Sequence, residues 1–222
     1  MPKAAIVILA AGSGSRVGAE VNKVLLPLGP YPVISHGVLT ALEVAEVAAV
    51  VLVAKPGEED AIAEAVTPVI GERQVLLVRG GDERQDSERA ALDVLRPLIA
   101  AGDVDVVAIH DGARPFASAA LYESVIATAR EHGGAIPAVP LPSILTVDLR
   151  PVDGDLVGVQ TPQAFRAQTL LDAYDRGGND ATDTAAALAD TVVVHAVPST
   201  ARNLKITWPE DVRAAERLLT ES

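Results

Sequence analysis

The chain contains no cysteine, so it can have neither a disulfide nor a thiolate-ligated metal site. Aromatic residues make up only 3% of it, too few for a platform on which single-stranded nucleic acid could stack. Positive charge is in deficit as well, with 18 Lys and Arg against 30 Asp and Glu and a net charge of −12. Such a balance lacks the basic face that DNA, RNA or an anionic membrane surface requires, so neither nucleic acid nor membrane is expected as a partner. No apolar run is long enough to span a bilayer. The stretch from Met1 to Ala11 has a lysine and a short apolar segment, as a signal peptide does. It leads directly into a coherent βα pattern, however, and a cytoplasmic enzyme is expected.

What the chain does have is aliphatic residues. Hydrophobic residues make up 49% of its 222 positions, enough for a substantial core, and one domain over 1–222 is expected. Strand-like apolar runs recur at Ala4–Ala10, Ala48–Ala54, Gln74–Val78, Val104–Ile109, Ala135–Val139, Val192–Val197 and Asn203–Thr207. Helical patterns lie between them at Val33–Val44, Glu59–Ile70, Ser87–Ile99, Ala119–His132, Gln168–Tyr174, Asp183–Ala189 and Pro209–Leu219. This alternation predicts an α/β fold, a Rossmann-like and mostly parallel sheet with helices on both faces. Residues 140–159 break the pattern with Pro140, Pro142 and Pro151. A turn is expected at Asp153-Gly154, with 144–147 and 156–159 pairing as a protruding β-arm.

Ligands of such sheets bind beyond the carboxyl ends of the strands, and the first strand ends in LAAGSGSRVGAEVNK. Gly12, Gly14 and Gly18 allow backbone amides to approach an anion closely, and Arg16 and Lys23 add full positive charge. Walker A is excluded because Asn22 precedes Lys23 and Val24 follows it. The dinucleotide fingerprint fails because the third glycine falls one residue late, at Gly18. On the residues alone, a plain βα turn with surface cations fits this loop equally well.

Four further clusters fall at strand ends or in loops. In GGDERQDS, Ser87 suits a helix N-cap. HDGARP places Asp111 at the tip of a buried strand, where a carboxylate can hold a metal or orient phosphates. Thr161-Pro162-Gln163 follows the arm, with Phe165 as a core anchor. The last cluster joins Thr182-Asp183 to the run around Lys205, a lysine whose inward placement would call for an anion.

In this order, LAAGSGSR, NKVLLPLG, GGDERQDS, HDGARPF, TPQAF, TDTAA and NLKITWPEDV resemble the 2-C-methyl-D-erythritol 4-phosphate cytidylyltransferases and their pentitol-phosphate relatives over nearly the whole chain. The resemblance implies a homodimeric enzyme of non-mevalonate isoprenoid precursor synthesis. CTP and a sugar-alcohol phosphate, its small-molecule substrates, would react with Mg²⁺ to give a CDP-alcohol and pyrophosphate. It implies catalytic roles for Arg16, Lys23 and Lys205. It places the triphosphate on the amides of Gly12, Ser13 and Gly14, and the cytosine and ribose near Ala10, Ala11, Gly81, Asp82 and Ser87. Asp111, with Gly112 and Ala113 beside it, matches the metal-binding and acceptor-facing segment, and Arg114, Thr161, Thr182 and Asp183 match the substrate side. The departures gather in the arm, which is several residues shorter than in the erythritol enzymes. Ser143-Ile144 stand in place of an Asp-Thr pair, and Asp153 lies near the place of an arginine that grips the acceptor phosphate across the dimer, with Arg150 the nearest cation. Ribitol phosphate or a phosphonate as acceptor, or a non-catalytic nucleotide-binding module, are the other readings.

Overall fold

The computed structural model describes residues 2–12, 22–176, 184–188 and 191–220. They form β1 (Lys3–Ala10), a 3₁₀ turn (Lys23–Leu25), β2 (Pro27–Leu28), β3 (Tyr31–Pro32), α1 (Val33–Glu43), β4 (Val47–Ala54), α2 (Glu59–Ile70), β5 (Leu76–Arg79) and α3 (Arg84–Ala100). After these come β6 (Val104–Asp111), α4 (Ala119–His132), β7 (Gly134–Pro140), β8 (Val157–Val159), β9 (Gln163–Arg166), α5 (Ala167–Asp175), α6 (Thr184–Leu188), β10 (Val194–Pro198) and α7 (Pro209–Thr220).

The main sheet runs β10-β7-β9-β6-β1-β4-β5, with β8 paired to β7. β1 sits at its centre, parallel to β4 on one side and to β6 on the other. Side chains alternate across a strand, and in β1 Ala4, Ile6, Ile8 and Ala10 enter one core layer while Ala5 and Val7 enter the other. The first layer is closed by α1, α2 and α4, the second by α3, α5 and α6. With both faces covered, the central strands read as unbroken aliphatic runs. α7 packs Ala215 against Leu28, Val33 and Ile206 in a smaller cluster.

The sheet is mostly parallel, but β9 enters antiparallel between β6 and β7. It carries Phe165, fully buried, into the layer under α3 and α5. Only Phe165 marked this short strand in the sequence, because a four-residue run after a proline has too few positions to display a period.

Three expectations need correction. Residues 203–207 belong to no strand; this segment makes one sheet-like bond, from Ile206 N to Ala113 O at 2.9 Å, and is held besides by a backbone bond from Asn203 N to Thr200 O and by side chains. α3 begins at Arg84, three residues before Ser87. Glu83 is its N-cap, in a reciprocal capping box with Asp86, so an E-x-x-D signal outcompetes the serine. In the arm, β8 pairs with Ala138–Pro140, and residues 144–147 do not pair with 156–159. Residues 144–146 instead fold back on 150–152: Thr146 N donates to Arg150 O at 2.8 Å and Val152 N to Ile144 O at 3.0 Å. The Thr146 hydroxyl, bonded to Asp148 Oδ1 at 2.6 Å and accepting from Arg150 N at 3.0 Å, closes the reversal there, ahead of Asp153-Gly154.

Phe165→Ala would leave a ring-sized void between β6, β7 and two helices. It should lower the unfolding free energy by about 3–5 kcal/mol, read as a shift in urea midpoint at unchanged m-value.

Candidate active site

The register aligns the carboxyl ends of four neighbouring strands, β6, β1, β4 and β5. Ala10 stands opposite Ala54, Ala54 opposite Arg79, and Leu9 opposite Asp111. The chain leaves β1 towards β4 and later returns to its other side as β6, so the end of β1 is the topological switch point. A cavity of about 690 Å³ opens there, lined by Ala11, Gly12, Lys23, Lys55, Gly81–Arg84, Ser87, Asp111–Ala113 and Lys205, with Leu9, Val24 and Pro56 supplying apolar surface. The volume suits a nucleotide-sized ligand. Lys23, Lys55, Arg84 and Lys205 oppose Asp82, Glu83 and Asp111 in its wall, a locally cationic balance in a strongly acidic chain.

Asn22 seats Lys23 on that wall. Its Nδ2 donates to Ala10 O at 2.8 Å and to Glu58 Oε2 at 2.7 Å, and its Oδ1 accepts from Val24 N at 3.3 Å. The chain returning from the glycine loop is thereby tied to the strand it left. On the opposite side, Gly112 N donates to Leu9 O at 2.9 Å. A Cβ at Gly112 would lie only 2.9 Å from that oxygen, so glycine allows the end of β6 to close onto β1.

Asp111 is the electrostatic centre. Arg84 Nη1 donates to its Oδ1 at 2.6 Å and Lys205 Nζ to its Oδ2 at 2.7 Å. Burial by itself raises the pKa of this carboxyl, but the Arg84 and Lys205 charges outweigh it and hold the group well below the ordinary carboxylate range. Burial likewise disfavours the Arg84 cation, and Asp111 and Glu88 overcome that, leaving the guanidinium firmly charged.

Behind Asp111 runs a hydrogen-bonded relay. The Arg114 carbonyl can only accept, so His110 carries its proton on Nε2 and donates to it at 3.0 Å. His110 Nδ1 then accepts from the Thr161 hydroxyl at 3.0 Å, and that oxygen accepts from Asp111 N at 3.0 Å. Asn203 fastens the Lys205 segment to the same place, donating to Thr161 O at 2.9 Å while its own carbonyl accepts from Arg114 Nη1 at 2.7 Å.

Of the residues picked from the sequence, the structure gathers Ala11, Gly12, Lys23, Gly81, Asp82, Ser87, Asp111, Gly112, Ala113 and Lys205 around one cavity. Ala10 lies just beneath, fully buried. Arg114 and Thr161 stand behind Asp111 as supports and do not line the cavity. Arg150 is at the arm tip, paired with Asp148 at 2.6 Å. Arg16, Ser13, Gly14, Thr182 and Asp183 lie outside the described residues. Lys55 and Arg84 were missed. Lys55 directly follows a buried strand, and Arg84 forms an i,i+4 pair with Glu88 on α3, and both signals were present in the sequence.

His110 is fully buried, and burial pushes its pKa down to about 4, so it is neutral in the native protein at neutral pH. An unfolded histidine titrates near 6.5, so the unfolded chain binds the proton first as the pH falls. The stability that neutral His110 contributes is whole above that value and is lost between pH 6.5 and 4, about 3 kcal/mol in all. Urea midpoints measured across this window should fall for the parent chain and fall less for His110→Gln.

The family model of the 2-C-methyl-D-erythritol 4-phosphate cytidylyltransferases matches residues 4–221. A 2-C-methyl-D-erythritol 4-phosphate cytidylyltransferase of Pelotomaculum thermopropionicum is 38% identical over 99% of this chain and 95% of its own length. One from Cereibacter sphaeroides is 38% identical over 97% of this chain and 96% of its own. Among solved structures, 4-diphosphocytidyl-2C-methyl-D-erythritol synthase of Anaerococcus prevotii superposes with a TM-score of 0.81 at 26% identity, covering 99% of this chain and 96% of that one. The likeness extends over nearly the whole chain, and the chain belongs to the 2-C-methyl-D-erythritol 4-phosphate cytidylyltransferase family.

Proposed function

We propose that this chain transfers the cytidylyl group of CTP to 2-C-methyl-D-erythritol 4-phosphate, giving CDP-methylerythritol and pyrophosphate in the non-mevalonate route to isoprenoid precursors. The observation that carries the reading is the nucleotide-sized cationic cavity at the sheet's switch point, in a chain that the family model matches over residues 4–221. An oxygen of the acceptor phosphate attacks the α-phosphorus of CTP. The bond from that phosphorus to the oxygen bridging to the β-phosphorus breaks, and pyrophosphate leaves with the electron pair. The acceptor is already an anion, so the protein's task is alignment and stabilisation of charge. Lys23 and Lys205, which both line the cavity, flank the crowded phosphorus and the departing pyrophosphate, together with Arg16 of the glycine loop. Amides of that loop, with Gly12, Ser13 and Gly14, cradle the triphosphate. Gly81, Asp82 and Ser87 form the base end with Ala10 and Ala11. Thr182 and Asp183 belong to the acceptor side, and Arg114 and Thr161 support it.

The donor set suits Mg²⁺ held jointly with the nucleotide. Asp111 is a carboxylate on the cavity wall, and among the described residues no cluster of three His, Cys, Asp or Glu would retain a metal alone. Mg²⁺ is commonly bound by one or two carboxylates plus substrate phosphates. Bound there, it supplies neutralisation of triphosphate charge. The protein acts as a cytoplasmic homodimer in this reading, and the outward Leu145, Val147 and Leu149 of the arm, at 52%, 104% and 75% exposure, support an arm that meets a partner.

Pyrophosphate release with CTP, Mg²⁺ and 2-C-methyl-D-erythritol 4-phosphate tests the reaction, with ribitol 5-phosphate run alongside. Robust turnover on the erythritol acceptor is expected, and turnover confined to ribitol 5-phosphate would refute the assignment. Lys23→Ala should lower kcat by roughly 10²- to 10³-fold with little change in CTP affinity, because the charge acts mainly in the transition state. A raised KM at unchanged kcat would reduce Lys23 to a binding residue. Asp111→Asn should weaken Mn²⁺ binding to the CTP complex, read by electron paramagnetic resonance without turnover, and raise the Mg²⁺ needed for half-maximal rate. Unaltered metal titrations would remove Asp111 from that role.

A further inference from the structure

Glu88 is a carboxylate that the reaction as described does not use, and it is only 1% exposed. It lies one turn into α3, behind the cavity wall. Its Oε1 accepts from Arg84 Nε at 2.7 Å and from Thr184 Oγ1 at 2.9 Å; Oε2 accepts from the Tyr174 hydroxyl and lies 3.0 Å from Thr184 Oγ1. Beyond Arg84 the guanidinium reaches Asp111, and beyond Asp111 stands Lys205. Four alternating acidic and basic side chains therefore run from the interior helix layer to the cavity; burial pushes the Glu88 carboxyl up, and the Arg84 guanidinium beside it opposes that rise. A carboxylate in this place is costly for the fold, since its neighbours under α3 and α5 are aliphatic and aromatic and a side chain of that kind would pack there without a desolvation penalty. Its geometry gives it a use. A guanidinium facing a single carboxylate can rotate to grip both oxygens side by side. Held by Nε on Glu88 and by Nη1 on Asp111, its plane is fixed, and so is the Asp111 rotamer that presents Oδ2 to Lys205.

We propose that Glu88 is a positioning residue of cytidylyl transfer, acting through Arg84 to set the orientation of Asp111 and Lys205 at the cavity wall. This rests on the reaction proposed above. It also predicts a sign. Replacing Glu88 by Gln adds no charge to the polyanion site and leaves the cavity lining intact, so CTP binding is not weakened, whereas a loosened Arg84 plane slows the transfer. A residue that only supported the fold would lower the melting temperature and leave the kcat of the folded enzyme alone.

The test is steady-state pyrophosphate release by the full chain. Glu88→Gln should lower kcat roughly ten- to a hundredfold with an equal or lower KM for CTP. Tyr174→Phe, which removes a partner of Glu88 but leaves the Arg84 contact, should keep kcat within about twofold of the parent. Arg84→Met and the double variant Arg84→Met/Glu88→Gln should share one kcat, because Glu88 acts only through Arg84. An unchanged kcat in Glu88→Gln overturns the inference. So does an equal loss in Tyr174→Phe, or a double variant slower than Arg84→Met. Should Glu88→Gln not fold, Glu88→Asp, whose shorter side chain withdraws the carboxyl from Arg84 Nε, is expected to show the same loss of kcat, and an unchanged kcat there overturns the inference. A silent parent enzyme refutes the reaction and this inference with it, whereas an active parent with an indifferent Glu88 refutes the inference only.

Discussion

The clamp of Arg84 and Lys205 on Asp111 is the interaction around which the rest of the site is arranged. It joins three distant parts of the chain: the start of α3, the tip of β6 and the segment after β10. Each reaches the clamp for its own structural reason. β6 is a fully covered central strand whose last residue has nowhere to go but the switch point. α3 starts where a capping box stops the loop after β5, and Asn203 tethers the Lys205 segment to Thr161. Desolvating a carboxylate is tolerable here because cations meet both of its oxygens, and removing either partner would leave one of those oxygens unmet.

The clamp also resolves the apparent conflict between an acidic chain and an anionic ligand. The net charge of −12 is spread over the whole surface, while a triphosphate responds to the charges within roughly a Debye length of it. Within the cavity, cations drawn from the ends of separate strands and loops outnumber acids. A net negative charge of this size disfavours extended polyanions and still permits a small one held in a recess.

Much of this was legible in the sequence, and the parts that were not share a cause. β1, β4 and β6 announced themselves as aliphatic runs because strands buried on both faces have no polar alternation to disguise them. Gly12, Asp111 and Gly112 followed, since motifs at strand ends converge once the strands are parallel. Arg84 was overlooked because its partners lie in other segments: Glu88 is near in sequence, but Asp111 is twenty-seven positions away, and only the register brings them together. In the sequence Asn22 served only to exclude Walker A, yet its side chain bridges Ala10 and Glu58. The 203–207 segment imitated a strand because chain held by scattered backbone and side-chain bonds can have the same composition as chain held by a ladder. The tip of the arm was misplaced because a threonine hydroxyl, and not the expected Asp-Gly pair, closes the reversal.

The most direct test of the central claim is a crystal structure of the chain with CTP and Mg²⁺ in the absence of acceptor. The account predicts the triphosphate between Lys23 and Lys205, the base against Gly81, Asp82 and Ser87, and Arg84 still bridging Glu88 and Asp111. A nucleotide bound outside this cavity, or bound within it with Arg84 released from Asp111, would contradict the account.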